Sequence, residues 1–231
     1  MRRLIILLLA CLTQGGALRA AEPWQTALSQ MPLGANVAEL NRGNCVDILL
    51  RALQSNQVVK AIVIMPGATD EFYMFRRAKA ALTNDSPSLL DAVNALTRQT
   101  LIRATFRPPM LLMHSDQDLL DPLFSIEHPE TARRLKQAAF VPHALYNDRD
   151  WDFLHPILTG QLHADMLPLR YTYGSWHFYR HSFAGWNLTG WEALEAIALA
   201  GETKFTVRSN LVIYQEDDRF RRAPKVDSFP R

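Results

Sequence analysis

Cysteine and the common catalytic motifs are scarce in this sequence. Only two cysteines occur, Cys11 and Cys45, and the chain has no C-x-x-C, H-E-x-x-H or G-x-S-x-G motif and no glycine-rich phosphate loop. The sequence therefore lacks the signatures of thiol redox proteins, zinc peptidases, serine hydrolases and nucleotide-binding loops. Cys45 begins an apolar helical pattern, so we expect a buried thiol and not a reactive one.

An excess of charge of one sign is also missing. The chain has 25 basic and 23 acidic residues. Arg2, Arg3 and Arg19 lie in the first 20 residues, and without them 22 basic residues face 23 acidic ones, a net charge of −1. Because a protein without a basic field has no electrostatic attraction to phosphate backbones, we expect no nucleic-acid partner.

No apolar run is long enough to cross a bilayer, which takes about 20 residues. The run over residues 4–10 follows two arginines and precedes small residues, which is typical of a secretory signal peptide. We therefore predict that residues 1–20 are a signal peptide, cleaved after Ala20 or Ala17, and that the protein is exported to the periplasm or cell envelope. An alternative is a lipoprotein signal with a lipid anchor, because Leu8-Leu9-Ala10-Cys11 resembles a lipobox in which Cys11 is acylated.

Residues 177–215 carry the clearest secondary-structure pattern. Residues 177–183 are rich in aromatics and predict a strand. The runs 204–208 and 211–215 are prone to form strands and are separated by two residues, which predicts a hairpin.

A capped helix is predicted between these strands. Thr189 is followed three residues later by Glu192 at the start of an apolar run, which is the capping-box arrangement. Gly201 lies where a left-handed residue would end the helix. Upstream, Ser86-Pro87 predicts the start of a similar helix, with serine as the cap and proline in the first turn.

The same order of elements recurs upstream at an offset of 101 to 106 residues. Helices are predicted to start at both Glu22-Pro23 and His128-Pro129, and hairpins fall at Arg107 and Arg208. The helix segment Leu90-Asp91-Ala92-Val93 is matched with Leu194-Glu195-Ala196-Ile197. A colinear series of matches of this kind predicts an internal duplication.

We therefore predict an α+β protein of two tandem repeats. Each repeat would contain a small, mainly antiparallel sheet with one packed helix, preceded by further helices. The predicted organisation is signal peptide 1–20, repeat 1 over 22–118, linker 119–127, repeat 2 over 128–218 and tail 219–231.

The second repeat resembles a known family through residues 187–189, 191–198, 203–207 and 211–214. Their order of short strand, E-A-L-x-x-I helix and final hairpin is similar to the secretin and TonB short N-terminal (STN-like) βαββ module. Residues 88–96 and 100–113 of the first repeat resemble it more loosely. The resemblance implies a periplasmic interaction or signalling adaptor that brings no catalytic residues with it.

Aromatic residues supply the binding-site prediction. Several cluster just before the capped helix, and those next to Gly, Ser or Asn could form an exposed recognition patch for a protein. The predicted binding residues are Trp176, Phe178, Tyr179 and Trp186. An alternative is a carbohydrate-binding module that uses Trp176 and Trp186.

Histidines supply the other alternative. His177 and His181 alternate along the predicted strand and could bind zinc or copper, although ordinary surface histidines on a strand face explain the pattern better. The segment 111–118 is similar to the strand and acid loop of a hydrolase, but it has no serine elbow to serve. We assign no catalytic residue and no cofactor, and predict a non-enzymatic envelope adaptor that binds a protein partner through sheet edges and exposed aromatics.

Overall fold

The computed structural model describes residues 21–34, 37–65, 75, 77–114, 124–140, 142–149, 169–171, 181–201, 203–209 and 211–216. Within these ranges the chain forms five helices and three sheets, so the predicted mixed α+β class is confirmed. The helices are α1 (Pro23–Ser29), α2 (Cys45–Ala52), α3 (Leu89–Gln99), α4 (Pro129–Gln137) and α5 (Gly190–Ala200). The strands are β1 (Glu39–Leu40), β2 (Ala61–Ile64), β3 (Ala80–Ala81), β4 (Arg103–Arg107), β5 (Met110–His114), β6 (Phe124–Ile126), β7 (His143–Arg149), β8 (Leu169–Tyr171), β9 (His181–Trp186), β10 (Thr203–Arg208) and β11 (Leu211–Glu216).

A five-stranded sheet in the order β4-β5-β2-β9-β7 has β2 at its centre. Strand β2 is parallel to β5 and antiparallel to β9, and all four of its residues are buried. Side chains alternate across a strand, so Ala61 and Val63 enter one apolar cluster while Ile62 and Ile64 enter another. The sheet is therefore buried on both faces, which explains why β2 reads as a continuous apolar run.

Helices α1, α2 and α3 cover the face of the sheet that carries Ile62 and Ile64. Helix α2 buries Leu49 and Leu50 there, as its helical spacing predicts. Cys45, at the start of α2, is 1% exposed, and burial raises its pKa to about 12. The prediction of a buried thiol is confirmed.

Helix α5 lies between this sheet and a four-stranded sheet in the order β6-β10-β11-β8. Nine of its eleven residues are buried, and eight of these belong to one cluster with Val63 on one side and Phe205 and Tyr214 on the other. The Tyr214 hydroxyl donates a hydrogen bond of 3.0 Å to the carbonyl of Leu194. A helix with apolar residues on nearly all sides is what a position between two sheets requires.

The two halves of the chain, 22–118 and 128–218, share the five-stranded sheet. Strands β4, β5 and β2 come from the first half, and β9 and β7 from the second. The Trp186 amide donates to the Lys60 carbonyl at 2.8 Å across the junction. The expectation that each half forms a sheet of its own is wrong for this sheet. Without β9, strand β2 would be an apolar strand at a sheet edge, which invites further pairing.

Both long helices begin with a capping box. For α5 it is the predicted one: the Thr189 hydroxyl accepts from the Glu192 amide at 3.1 Å, and the Glu192 carboxylate accepts from the Thr189 amide at 2.8 Å. Helix α3 starts at the cap Ser88, and not at Ser86-Pro87 as the sequence suggested. Ser88 with Asp91 satisfies two backbone donors at once, and this arrangement determines where the helix begins.

The short segment that follows α1 is hydrogen-bonded to the cap region of α3, and the segment that follows α4 is bonded to the cap region of α5 in the same pattern. In each half, two backbone hydrogen bonds join that segment to the residues on either side of the cap. They are Leu33 N to Pro87 O (2.9 Å) and Leu89 N to Met31 O (2.7 Å), and Phe140 N to Leu188 O (2.8 Å) and Gly190 N to Ala138 O (2.8 Å). The cap residues Ser88 and Thr189 are 101 positions apart, whereas the sequence comparison matched Leu90 with Leu194, 104 positions apart. The sequence comparison therefore aligned the two helices three residues, or nearly one turn, out of register.

Gly201 ends α5 without the left-handed conformation that the sequence predicts. Its φ is −110° and its ψ is 10°. The reason for glycine is space, because a Cβ at this position would collide with the ring of His181. That ring is fully buried, and its Nδ1 lies 3.3 Å from the Arg149 carbonyl.

Candidate protein-binding edge

Strand β6 lies at one edge of the four-stranded sheet, inside the segment predicted to be a linker. Among the strands that the structure describes it pairs only with β10, in parallel, and all three of its residues are exposed. Phe124 is 45% exposed and Ile126 is 39% exposed, and the other large hydrophobic exposed in the described ranges is Leu101. An apolar edge strand is a known site for pairing with another chain.

The pairing of β6 shows which of its backbone groups point away from β10. The Glu127 amide donates to the Val207 carbonyl at 2.9 Å, so the backbone amide and carbonyl of Glu127 point toward β10. Because these groups alternate in direction along a strand, those of Ser125 point toward β10 as well. The amides and carbonyls of Phe124 and Ile126 then face away from the sheet. Within the described part of the chain, the side of β6 away from β10 therefore has two donors and two acceptors in line.

Aromatic packing holds β6 in place. The Phe124 ring stacks on Phe205 at 5.9 Å between centroids and meets Trp191 edge-on at 5.0 Å. Trp191 also meets Phe205 at 5.4 Å and lies beneath the Lys136 ammonium, 4.8 Å from the ring centroid. Such pairs each contribute about 0.5–1.5 kcal/mol beyond the area they bury. Strand β6 is thus ordered before any partner arrives, which lowers the entropic cost of binding.

Glu195, in the middle of α5, lies about one helical turn after Trp191. Burial raises the pKa of the Glu195 carboxyl above its ordinary value, while a hydrogen bond from Trp191 and the charge of Arg107 act in the opposite direction. The position of Trp191 is set by its ring contacts with Phe124 and Phe205.

An ion pair lies next to the C-terminal end of β6. Arg208 on β10 donates to the Glu127 carboxylate at 2.7 Å, and both side chains are about half exposed, at 53% and 48%. An ion pair this exposed adds about 0–1 kcal/mol, so it serves orientation more than stability. The surface around Phe124 and Ile126 is consequently not strongly charged by this pair.

The predicted aromatic site is only partly described. Trp176, Phe178 and Tyr179 lie outside the described residues, so their exposure stays a prediction. Trp186 is partly buried: its indole donates to the Leu53 carbonyl at 2.8 Å and stacks on the His143 ring at 4.0 Å between centroids. Its polar atom is therefore already engaged within the protein.

The predicted histidine site is also only partly described. His177 lies outside the described residues, and His181 is 0% exposed, so the expectation of an ordinary surface histidine at this position is wrong. The inward side of β9 and the close approach of Gly201 account for its burial. In the described ranges no three His, Cys, Asp or Glu side chains are grouped so that they could hold a metal ion.

Phe124 and Ile126 were missed because the sequence assigns residues 119–127 to a linker. The signal was present, since Phe124-Ser125-Ile126 alternates apolar and polar residues as a strand does. Three residues are too few for alternation to be distinguished from chance.

The fold therefore defines a mixed α+β protein with an apolar sheet edge. No protein-family model matches this chain, and no curated protein or solved structure is significantly similar to it. Across the described part of the chain, every helix is too short or too polar to cross a membrane.

Proposed function

We propose that this protein is a non-enzymatic adaptor of the bacterial cell envelope that binds a protein partner by strand addition at β6. The observation that carries the proposal is the exposed edge formed by Phe124, Ser125 and Ile126. An extended peptide would lie beside β6 and bond to its outward amides and carbonyls.

Backbone pairing alone would give weak binding. Four hydrogen bonds at about 0.5–1.5 kcal/mol each are partly cancelled by the cost of association. The partner must therefore also cover the exposed faces of Phe124 and Ile126. We expect an extended segment with apolar side chains on the face toward α5.

Export rests on the sequence. Two arginines, an apolar run and small residues within 1–20 favour a signal peptide and a periplasmic or envelope location. If Cys11 is acylated instead, the same adaptor is held at a membrane by its lipid. In either case it meets its partner outside the cytoplasm.

We further propose that the two halves derive from one duplicated unit similar to the STN-like module. Three pairs of features support this: the capping boxes of α3 and α5, the equal hydrogen bonds that hold the caps, and the proline at the start of α1 and α4. In each half the second hairpin strand also pairs in parallel with an earlier strand, β5 with β2 and β11 with β8. In this proposal, the sheets of the two copies became one five-stranded sheet when β9 paired with β2.

Capture of the partner from an envelope extract tests the binding proposal. Ile126→Pro removes an outward amide but leaves the bonds of Ser125 and Glu127 to β10 unaffected. Ile126→Ala removes only apolar contact. We expect wild-type protein to retain a partner, Ile126→Ala to retain less of it, and Ile126→Pro to lose it.

Leu101→Ala is the matched control, because it truncates the other large exposed hydrophobic of the described ranges. It should capture the partner as the wild type does. Equal capture by all four proteins would contradict binding at β6. Stoichiometric metal lost in His177→Ala and His181→Ala, or glycan binding lost in Trp176→Ala and Trp186→Ala, would favour the metal or carbohydrate alternatives.

A further inference from the structure

Strand β10 has a neighbouring strand on each side. It forms a hairpin with β11 and also pairs in parallel with β6, which ends three residues before α4 begins. The Val207 carbonyl accepts from the Glu127 amide, so the backbone groups of Val207 point toward β6. In the second half of the chain, the residues just before the first helix therefore form an edge strand.

Strand β4 is the counterpart of β10 in the first half. Both strands open a hairpin with a two-residue turn, closed by Arg107 in one and by Arg208 in the other. The two arginines are 101 positions apart, which is also the offset between the two helix caps. Phe106, the residue before Arg107, is therefore the counterpart of Val207.

The side of β4 away from β5 has the backbone groups that β10 uses to hold β6. The Met65 amide donates to the Met113 carbonyl at 2.8 Å, so the backbone groups of Met113 point toward β2 and not toward Ala104, the residue opposite on β4. The amide and carbonyl of Ala104 then point away from β5, and by alternation those of Phe106 do so too. Among the strands that the structure describes, β4 pairs only with β5.

The residues before α1 repeat the pattern of those before α4. Both helices begin with proline, so Leu18-Arg19-Ala20 correspond in position to Phe124-Ser125-Ile126, and both triplets alternate apolar, polar and apolar residues. Residues 18–20 lie outside the described residues. The chain enters α1 beside β4, because the Trp24 ring stacks on the Phe106 ring at 6.0 Å between centroids. Only two residues separate the triplet from α1, so it starts close to the edge of β4.

The first half also has apolar contacts for the side chain of Leu18. On β6, Phe124 packs against one aromatic ring of α5 and one of β10. The residues 101 positions before those two rings are Leu90 on α3 and Ala104 on β4, and both are partly buried against the same apolar cluster. Leu18 therefore has an apolar surface to cover in the place that Phe124 covers in the second half.

We propose that the signal peptide is cleaved after Ala17 and that Leu18-Arg19-Ala20 stay on the mature protein as an edge strand parallel to β4. A strand joined to α1 through two residues loses no translational freedom on pairing, so it needs fewer hydrogen bonds than a separate partner. It covers an edge that would otherwise be open to pairing with another chain. The inference rests on the proposed export of the protein and not on binding at β6.

The residues around the cleavage site agree with this choice. Signal peptidases favour small residues at the first and third positions before the bond. Cleavage after Ala17 places Ala17 and Gly15 there, whereas cleavage after Ala20 places Leu18 at the third position. Water hydrolyses the bond between residues 17 and 18 in the peptidase, which leaves a carboxylate on Ala17 and an amine on Leu18.

Amide hydrogen exchange of two purified chains, one starting at Leu18 and one at Ala21, tests the pairing. In the register that β6 adopts on β10, the Phe106 amide donates to the Arg19 carbonyl. We expect this amide to exchange about tenfold more slowly in the chain that starts at Leu18. The Ala104 amide, whose acceptor would be at position 17, should exchange alike in both chains.

Two proline variants of the longer chain identify the strand. Arg19→Pro removes the amide that faces β4, whereas Ala20→Pro removes one that faces away from it. The Phe106 amide should exchange fast in Arg19→Pro and slowly in Ala20→Pro. Equal Phe106 exchange in the chains starting at Leu18 and Ala21, faster exchange of Phe106 and Ala104 alike in the shorter chain, or equal effects of the two prolines would each overturn the pairing.

The intact mass of the protein recovered from the cell envelope locates the cleavage. We expect a mature chain that starts at Leu18. A chain that starts at Ala21 or at an acylated Cys11 would overturn cleavage after Ala17. An uncleaved chain in the cytoplasm would contradict export and with it the cleavage, while the exchange of the two purified chains would still decide the pairing.

Discussion

Gly201 and His181 meet at the end of the central helix, where no atom can be added. A Cβ at residue 201 would overlap the imidazole, which is fully buried and has no room to withdraw. Overpacking of this kind costs about 1–3 kcal/mol. We expect Gly201→Ala to lower the free energy of unfolding by that amount, measured by urea denaturation.

Gly34→Ala is the control for this substitution. Nothing lies within 4 Å of a Cβ built there, so alanine should leave stability unchanged or raise it by up to about 1 kcal/mol. If both variants lose the same stability, backbone freedom and not the His181 contact explains the glycine at 201.

Gly201 could be predicted from the sequence only in part. A glycine after an apolar helical run correctly predicts the helix end at Gly201, but its backbone is not left-handed. The actual requirement comes from His181, twenty positions earlier in the chain and on another strand. No local pattern contains that contact, because it exists only after β9 and α5 have packed.

At the scale of elements, the cap of α5 should affect stability measurably. Thr189 and Glu192 satisfy each other's amides, and Glu192 also accepts from the Lys60 ammonium at 3.0 Å. We expect Thr189→Ala to lower the free energy of unfolding by about 0.5–2 kcal/mol, because one amide at the helix start loses its acceptor.

Thr189→Ser keeps the hydroxyl and should retain most of that stability in the same urea titration. Equal losses in the alanine and serine variants would show that the threonine methyl group, and not its oxygen, is what the helix needs.

The cap of α3 should respond to pH. The pKa of the Asp91 carboxyl is held below its ordinary value, first by the hydrogen bond from the Ser88 amide and then by those from the Ser88 and Asn84 side chains. A carboxyl with a lowered folded-state pKa stabilises the fold above its unfolded pKa, near 3.9, and ceases to do so as pH falls through the folded value. We therefore expect Asp91→Asn to be less stable than wild type at neutral pH and equal to it in strong acid.

Urea titrations at several pH values measure this difference. Asp85→Asn, in the exposed turn before the cap, is the control and should differ little from wild type throughout. A stability gap between wild type and Asp91→Asn that stays constant from neutral pH to strong acid would contradict the role of the charged carboxylate.

Capping boxes and hairpins could be predicted because their residues are close in sequence. Thr189 with Glu192 and the two-residue turn between β10 and β11 both follow from local spacing. Ser88 was missed because Ser86-Pro87 offers a similar signal two residues earlier, and only the pairing with Asp91 distinguishes them. Local chemistry therefore predicts element types well and element boundaries less well.

At the scale of the whole molecule, the main difference from the sequence prediction is the pairing of β2 with β9. These strands lie more than 110 residues apart, and nothing in either one specifies the other as its neighbour. The apolar run Ala61–Ile64 indicates burial on both faces, but not which strand completes the sheet. The repeat pattern suggested two separate sheets, and tertiary packing joined strands of both halves in one.

The binding edge was hidden for a related reason. Strand β6 is short and lies between the halves, so its strand character depends on β10, about 80 residues later. The position of its exposed Phe124 depends on Trp191 and Phe205, whose rings it packs against. A surface assembled from three distant segments cannot be read from any one of them.

Amide hydrogen exchange of β6, measured in the captured complex and in the free protein, tests strand addition at this edge most directly. The outward amides of Phe124 and Ile126 should become protected in the complex, while those of Ser125 and Glu127, already bonded to β10, should change little. Unprotected Phe124 and Ile126 amides in a complex that is otherwise intact would contradict strand addition at β6.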